Sequence, residues 1–244
     1  EVVSLFAEEL KDLGDNPLFA GKTWRWSPES WSLLPESREM IASLAPAAVS
    51  FYRAIERLYR KSKSNEKILR NEELIVPWVS QYYDAGKPDW LVDHSGNEVV
   101  RDLLPAVLRP DLLPVSGGMA LTEWDSVPGG IGLTAQLGSA YLGEDSPLMV
   151  NAFGDALAHA ASSFGGKQAN MLVVVSEESQ TYLPEMEWLA NELTSEGFSI
   201  GVAGPEELEL TSEGVFKDGK KVDLIYRFCE LFDWENVPLM KDLI

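Results

Sequence analysis

The chain has 244 residues, with 39 acidic against 20 basic side chains and a formal net charge of −19 at pH 7. That length suffices to bury a sizeable core, and 45% hydrophobic with 24% charged residues excludes a disordered chain. Such an acidic excess argues against a broad nucleic-acid or anionic-membrane surface, because both need clustered Lys and Arg.

A single cysteine, Cys229, excludes an internal disulfide framework and a Cys-rich zinc site. It fits a reducing, cytoplasmic setting. No apolar run approaches the ~20 residues of a membrane span. The N-terminus begins with Glu1 and carries acidic residues, unlike the basic start of a signal peptide. The C-terminus stops at PLMKDLI, an apolar-patterned stretch without a helix-stop signal, so the chain reads as a fragment of a longer protein.

Residues 1–100 read as a mostly helical region and residues 101–244 as an α/β domain. Within 36–61, Met40, Leu44, Val49, Tyr52, Ile55 and Tyr59 recur at helical spacing, with Pro46 expected to break or kink the run. Residues 66–86 read as a second helix ending at Gly86, a C-cap residue. The tryptophans at 24, 26, 31, 78 and 90 are expected to pack these helices together. From about residue 104 strands enter, at 106–114 and 119–126, followed by a Gly-rich turn and helices near 132–143 and 147–163. MLVVVS (171–176) reads as a buried parallel strand. A helix over 181–197 puts Leu183, Met186, Leu189 and Leu193 on one face. FSIGVAG (198–204) is the next strand, 214–228 a hairpin around Asp218-Gly219, and a terminal helix starts near 235. Strand, helix, strand in that order is the pattern of an α/β sheet with crossover helices.

Chemistry concentrates at Arg109-Pro110-Asp111 and Glu123-Trp124-Asp125. Residues two apart on a strand share a face. A hairpin with a three-residue turn at Ser116-Gly117-Gly118 would set Arg109 opposite Asp125 and Asp111 opposite Glu123. Directly opposed carboxylates destabilise a sheet unless a cation lies between them. Oxygen ligands point to a hard ion, Mg²⁺ before Ca²⁺ or Mn²⁺, with Asp111, Glu123 and Asp125 as ligands. Arg109 would then present its fork to a phosphoryl or carboxylate group. A surface ribbon held by an Arg109–Asp125 salt bridge is the competing reading.

The following run, Ser126-Val127-Pro128-Gly129-Gly130-Ile131-Gly132, is a Gly-rich turn entering a helix, which favours anions. Its alternative is a tight turn that needs glycine for positive φ. Phe164-Gly165-Gly166-Lys167-Gln168 is not a P-loop, since it precedes its strand and lacks the spacing. His94 falls in an expected turn and His159 in an Ala-rich helix, neither with a partner at metal-ligand spacing. Cys229 has no neighbouring His, and the acids at 177–178 and 205–213 read as solvated faces.

The Arg-x-Asp and Glu-x-Asp pairs, with Asp111 and Glu123 twelve residues apart, resemble the Arg-x-Asp … Glu-x-Asn segment of glutathionylspermidine synthase-like, circularly permuted ATP-grasp ligases. Residues 121–134 share the cadence of that family's acidic strand and Gly-rich turn. Residues 222–233 resemble its later strand. The resemblance covers roughly residues 100–235, the pre-ATP-grasp half. It implies a Rossmann-like sheet with flanking helices, ATP as co-substrate, Mg²⁺, and a small-molecule or peptide carboxylate joined to an amine through an acyl phosphate. By position, Arg109 would stabilise the transferring phosphoryl group, Asp111, Glu123 and Asp125 would bind Mg²⁺, and Ser126, Gly129, Gly130 and Ile131 would contact the acyl substrate. Asp125 stands where the family usually has Asn, and the family's ATP-binding lysines would follow residue 244. The expected function is therefore the substrate- and Mg-side half of a carboxylate–amine ligase, inactive alone. A non-catalytic binding module that kept the fold is the alternative, and a metal-dependent hydrolase a third.

Overall fold

The structure is a computed structural model describing residues 13, 16–25, 27, 32–68, 75–142, 148–231, 235–237 and 239–243. Its residues group into two compact units. One comprises Leu33–Pro105 with Leu112–Thr122, the other Glu1–Ser32, Ala106–Asp111 and Glu123–Leu243.

The first unit is helical. Helix α1 spans Pro35–Lys63, with Pro35 at its first position, Glu36 in the first turn, and Arg60, Lys61 and Lys63 in the last. Proline costs nothing at a helix start, and those charges complement the helix dipole. The helix continues through Pro46, where a break or a kink was expected, without a break. The proline and the carbonyl-bearing Ala42 a turn before it are both exposed, so water can satisfy the group that loses its donor. Helix α2 (Trp78–Asp84) occupies only the end of the expected 66–86 helix, of which 69–74 lie outside the described residues. Gly86 takes positive φ just beyond it, as a helix-ending glycine does. The buried Ser62 hydroxyl joins α1 to α2. It donates to the Val76 carbonyl at 2.6 Å and accepts the Ser80 N–H at 2.9 Å. Helix α3 (Asp89–Ser95) contains His94 in its last turn, where a turn was expected.

Of the tryptophans expected to pack the helices, Trp24 and Trp78 are largely exposed, whereas Trp90 on α3 is half-buried. Trp78 is 65% exposed, Trp24 stacks edge-on against Phe19 in the other unit, and Trp26 and Trp31 lie outside the described residues.

Strands β1 (Arg109–Val115) and β2 (Gly118–Asp125) form a two-stranded ribbon. The turn has two residues, Ser116 and Gly117, where three were expected. Gly118 starts β2, and both glycines take positive φ.

The second unit is α/β. Helices α4 (Ile131–Leu142) and α5 (Leu148–Ala160) precede strand β3 (Met171–Val175), helix α6 (Leu183–Ser195) and strand β4 (Ile200–Ala203). Strands β5 (Glu209–Thr211), β6 (Gly214–Lys217) and β7 (Lys220–Lys221) make a small antiparallel sheet. Strand β8 (Leu224–Phe228) and helix α7 (Met240–Leu243) complete it. The expected hairpin turns at Asp218 and Gly219, both with positive φ, but its second arm ends after Lys221. Beyond it the chain crosses to the other sheet, where β8 lies parallel to β3. The terminal helix begins at Met240, later than expected.

β3 is central, with β4 parallel on one side and β8 on the other. The chain leaves β3 for β4 on one side and returns only after β5–β7 to β8 on the other, which makes the β3/β8 boundary a topological switch point. All five β3 residues are buried, because the sheet is covered on both faces. On one face Met171 joins Phe153, Leu157, Leu189, Leu193 and Phe198 from the helices and their turns. On the other, Leu172 and Val174 meet Ala203, Leu208 and Val222. Register is pinned at the strand starts. The Asn170 N–H donates to Asp223 Oδ2 at 2.8 Å, and the Asp223 N–H returns to the Asn170 carbonyl at 2.9 Å.

Helices α5 and α6 approach through Gly154, where a methyl group would lie 2.5 Å from Leu193 Cδ2 and 2.7 Å from Phe198 Cζ. Gly154→Ala is expected to destabilise the protein by about 1–3 kcal/mol despite its better helix propensity. Urea unfolding of the variant beside the parent checks this, and equal midpoints would show that the contact yields freely.

Candidate functional site

The connection from β2 to α4 is built by side chains acting on backbone. Asp125 ends β2, and its Oδ1 accepts the Val127 N–H at 2.8 Å, an Asx turn that reverses the chain. Pro128 is buried, Gly130 has φ of +92°, and Ile131 opens α4 with 7% exposure. Gly129 lies against the Tyr182 ring so closely that a Cβ there would force the ring to move.

Arg109, at the start of β1, ties this turn to the ribbon. Its Nε donates to Asp111 Oδ1 at 2.9 Å and its Nη1 to the Gly129 carbonyl at 3.1 Å, while Nη2 lies 3.2 Å from Asp125 Oδ2. The Asp111 hydrogen bond, with the charges of Asp111 and Asp125, holds the guanidinium above its ordinary pKa. Arg109 and Asp125 therefore meet as the sequence pairing expects. Because Arg109 and Asp111 remain 44% and 41% exposed, each ion pair contributes only about 0–1 kcal/mol. Their effect is orientation.

Arg109 lies between Asp111 and Asp125, two of the three carboxylates expected to hold a metal ion. Among the described residues, no group of three or more His, Cys, Asp or Glu side chains stands where it could hold a metal ion. Glu123 is exposed on β2, and the facing oxygens of Asp111 and Asp125 are directed at Arg109. Asp111, Glu123 and Asp125 in this arrangement do not fit Mg²⁺.

The anion-binding expectation for the Gly-rich turn meets a second internal partner. Glu185 on α6, only 4% exposed, accepts the Gly130 N–H at 3.1 Å through Oε2 and the Gly132 N–H at 2.8 Å through Oε1. The start of α4 does bind a carboxylate, and that carboxylate belongs to the protein. Glu185 was not singled out from sequence. Its signal is position: four residues before Leu189, it falls within the buried face of α6 with Met186, Leu189 and Leu193.

The same elements enclose a cleft of about 640 Å³, within the size range of small-molecule sites. Gly129, Gly130 and Ile131 form one wall, Met149, Ala152, Phe153 and Ala156 of α5 another, and Arg109 is its charged group. Of the expected substrate-contacting set, Gly129, Gly130 and Ile131 line the cleft, whereas Ser126 is exposed and outside its lining. Behind Phe153, edge-on at 5.1 Å, lies Tyr226 of β8. Burial first, then the charge of Asp125, pushes its phenol well above the ordinary range, and its hydroxyl has no hydrogen-bond partner among the described residues. The Ser176 hydroxyl, just past the end of β3, is likewise buried without one.

Cys229 is buried, the acids at 177–178 are exposed, and Glu207 within 205–213 pairs with Lys217 at 2.8 Å. No helix among the described residues is long and apolar enough to cross a membrane. Compared with known proteins, the chain matches no family model and no curated protein.

Removing the Glu185 carboxylate leaves two amide donors without their acceptor, so Glu185→Ala is expected to cost about 2–3 kcal/mol in urea unfolding. Glu185→Gln, which retains one acceptor oxygen, recovers part of it. Tyr226→Phe is expected to be neutral or to stabilise by up to ~1 kcal/mol, since it deletes an unsatisfied hydroxyl. A clear loss of stability on that substitution would mean the hydroxyl is satisfied in solution.

Proposed function

We propose that this chain is the substrate-binding part of an ATP-dependent carboxylate–amine ligase that acts through an acyl phosphate. The observation that carries the reading is the position of Arg109. The Arg-x-Asp and Glu-x-Asp pairs, on which the family resemblance rests, stand at the base of one ribbon. There Arg109 meets both a Gly-rich turn and a cleft of ligand size.

In this reading a carboxylate oxygen of the acid attacks the γ-phosphorus of ATP, forming an acyl phosphate and releasing ADP. The amine nitrogen then attacks the acyl carbon, the C–N bond forms, the C–O bond to phosphate breaks, and the amine loses a proton. Mg²⁺ belongs to this scheme as a companion of the ATP phosphates, since the carboxylates here do not form its site. Arg109 provides a fixed positive charge where negative charge gathers on the transferring group. Asp111, Asp125 and the Gly129 carbonyl hold its fork in place.

A specific observation favours the second reading, a binding module without catalysis. The cluster is already satisfied from within: Arg109 has two aspartates, and the α4 amides have Glu185. The two readings separate on turnover. The complete protein, supplied with ATP, Mg²⁺ and a panel of acids and amines, is expected to release ADP only when acid and metal are both present. Arg109→Ala is expected to lower kcat by about 100-fold or more, the scale of losing one charge-stabilising donor. Undiminished turnover in that variant removes Arg109 from the role, and absence of ADP release across the panel leaves the binding module.

A further inference from the structure

The cleft's chemistry is narrower than the ligase reading requires. Its walls are mostly carbon: Val107 and Leu108 ahead of β1, Ile131 on α4, and Met149 and Phe153 on α5. Ala152 and Ala156 lie on the same face of α5 at helical spacing, and their small side chains leave the space open. Val107, Met149 and Tyr226 pack against the buried cluster containing Phe153 and Ile131, so the apolar wall is continuous with the core.

Polar groups are few. Thr134 stands on one wall and Arg109 at one end. Arg109 spends its Nε and Nη2 edge on Asp111 and Asp125, and its Nη1 on the Gly129 carbonyl, itself part of the lining. Nη1 carries two hydrogens, of which the Gly129 carbonyl takes one, leaving the second for an acceptor oxygen of a molecule in the cleft that Arg109 lines. A peptide or polyamine would bring polar groups that these walls cannot satisfy.

We propose that the cleft receives the hydrocarbon body of an apolar carboxylic acid, with a carboxylate oxygen accepting from Arg109 Nη1. This deepens the ligase reading and rests on it for the acid's role as substrate. It also identifies Met149, Ala152, Phe153 and Ala156 as the residues that set acyl specificity.

The test measures binding without ATP. Straight-chain carboxylates from butanoate to decanoate, below their micelle concentrations, are titrated calorimetrically into the 244-residue chain, beside n-alkylamines and n-alcohols of equal length. Affinity for the carboxylates is expected to rise about four-fold per methylene until the cleft is full. The heat-capacity change should be negative. Amines and alcohols of equal length should bind at least ten-fold more weakly. Ala156→Phe, which fills the space, is expected to abolish the length dependence while leaving the circular dichroism unchanged. If that variant misfolds, the milder Ala152→Val should shift the optimum to a shorter chain. Arg109→Gln should keep the length dependence and lose the preference for carboxylate over alcohol. Length-independent binding, Ala156→Phe binding like the parent, or amines binding as tightly as carboxylates each overturns the proposal. Failure of the ligase reading looks different: chain-length-dependent binding here, with no ADP release by the complete protein under any acid.

Discussion

The site depends on one buried carboxylate. Glu185 sits on α6 yet takes the N–H groups of Gly130 and Gly132 at the start of α4. A helix start leaves its first amides without intrahelical partners, and burying them unsatisfied is costly. By accepting two of them, Glu185 joins α4 to the helix that crosses from β3 to β4. The glycines make that approach possible. A Cβ on Gly132 would come within 3.0 Å of both Trp188 and Glu185 side-chain atoms. With the turn held there, the Gly129 carbonyl is presented to Arg109, and the wall it forms with Ile131 faces α5 across open space.

The charges around Arg109 follow a different logic. Two aspartates and one arginine leave a surplus negative charge at the base of the ribbon. In a chain carrying −19, that surplus disfavours further anions approaching from solvent. The Nε and Nη2 groups of Arg109 are taken by the aspartates, whereas Nη1 reaches the Gly129 carbonyl in the lining of a mostly apolar cleft. The same half-exposed side chain thus ties the ribbon on one edge and lines the cleft on the other. This arrangement separates the proposed ligand from the carboxylates that would repel it.

Some of this was legible in residue order and some was not. The buried strand at 171–175, the apolar face of α6 and the Asp218-Gly219 turn each depend on local pattern, and each stands within a few residues of its expected place. Arg109 and Asp125 were paired from spacing alone, and they do meet, although the turn between their strands is one residue shorter than expected. Pro46 does not end its helix, because the effect of a proline depends on whether water reaches the carbonyl it orphans, which is a matter of burial. The hairpin at 214–228 was overextended because an apolar stretch such as 224–228 pairs equally well with a neighbour in sequence or with a distant parallel strand.

Alternating and helical hydrophobic patterns determined the α/β class, the order of its elements and the residues from which a site would be drawn. Those patterns report which face of each element leaves water, a property each segment carries in itself. Which partners those faces and polar groups meet was decided only in the folded chain. A carboxylate 53 residues from the Gly132 amide took the place of an expected anion. Which of the two readings of the acidic ribbon holds in the folded chain, the Arg109–Asp125 salt bridge, was likewise decided there. A buried polar group is satisfied by the nearest complement, and for segments that no hairpin or helix joins, nearness through space has no record in spacing along the sequence.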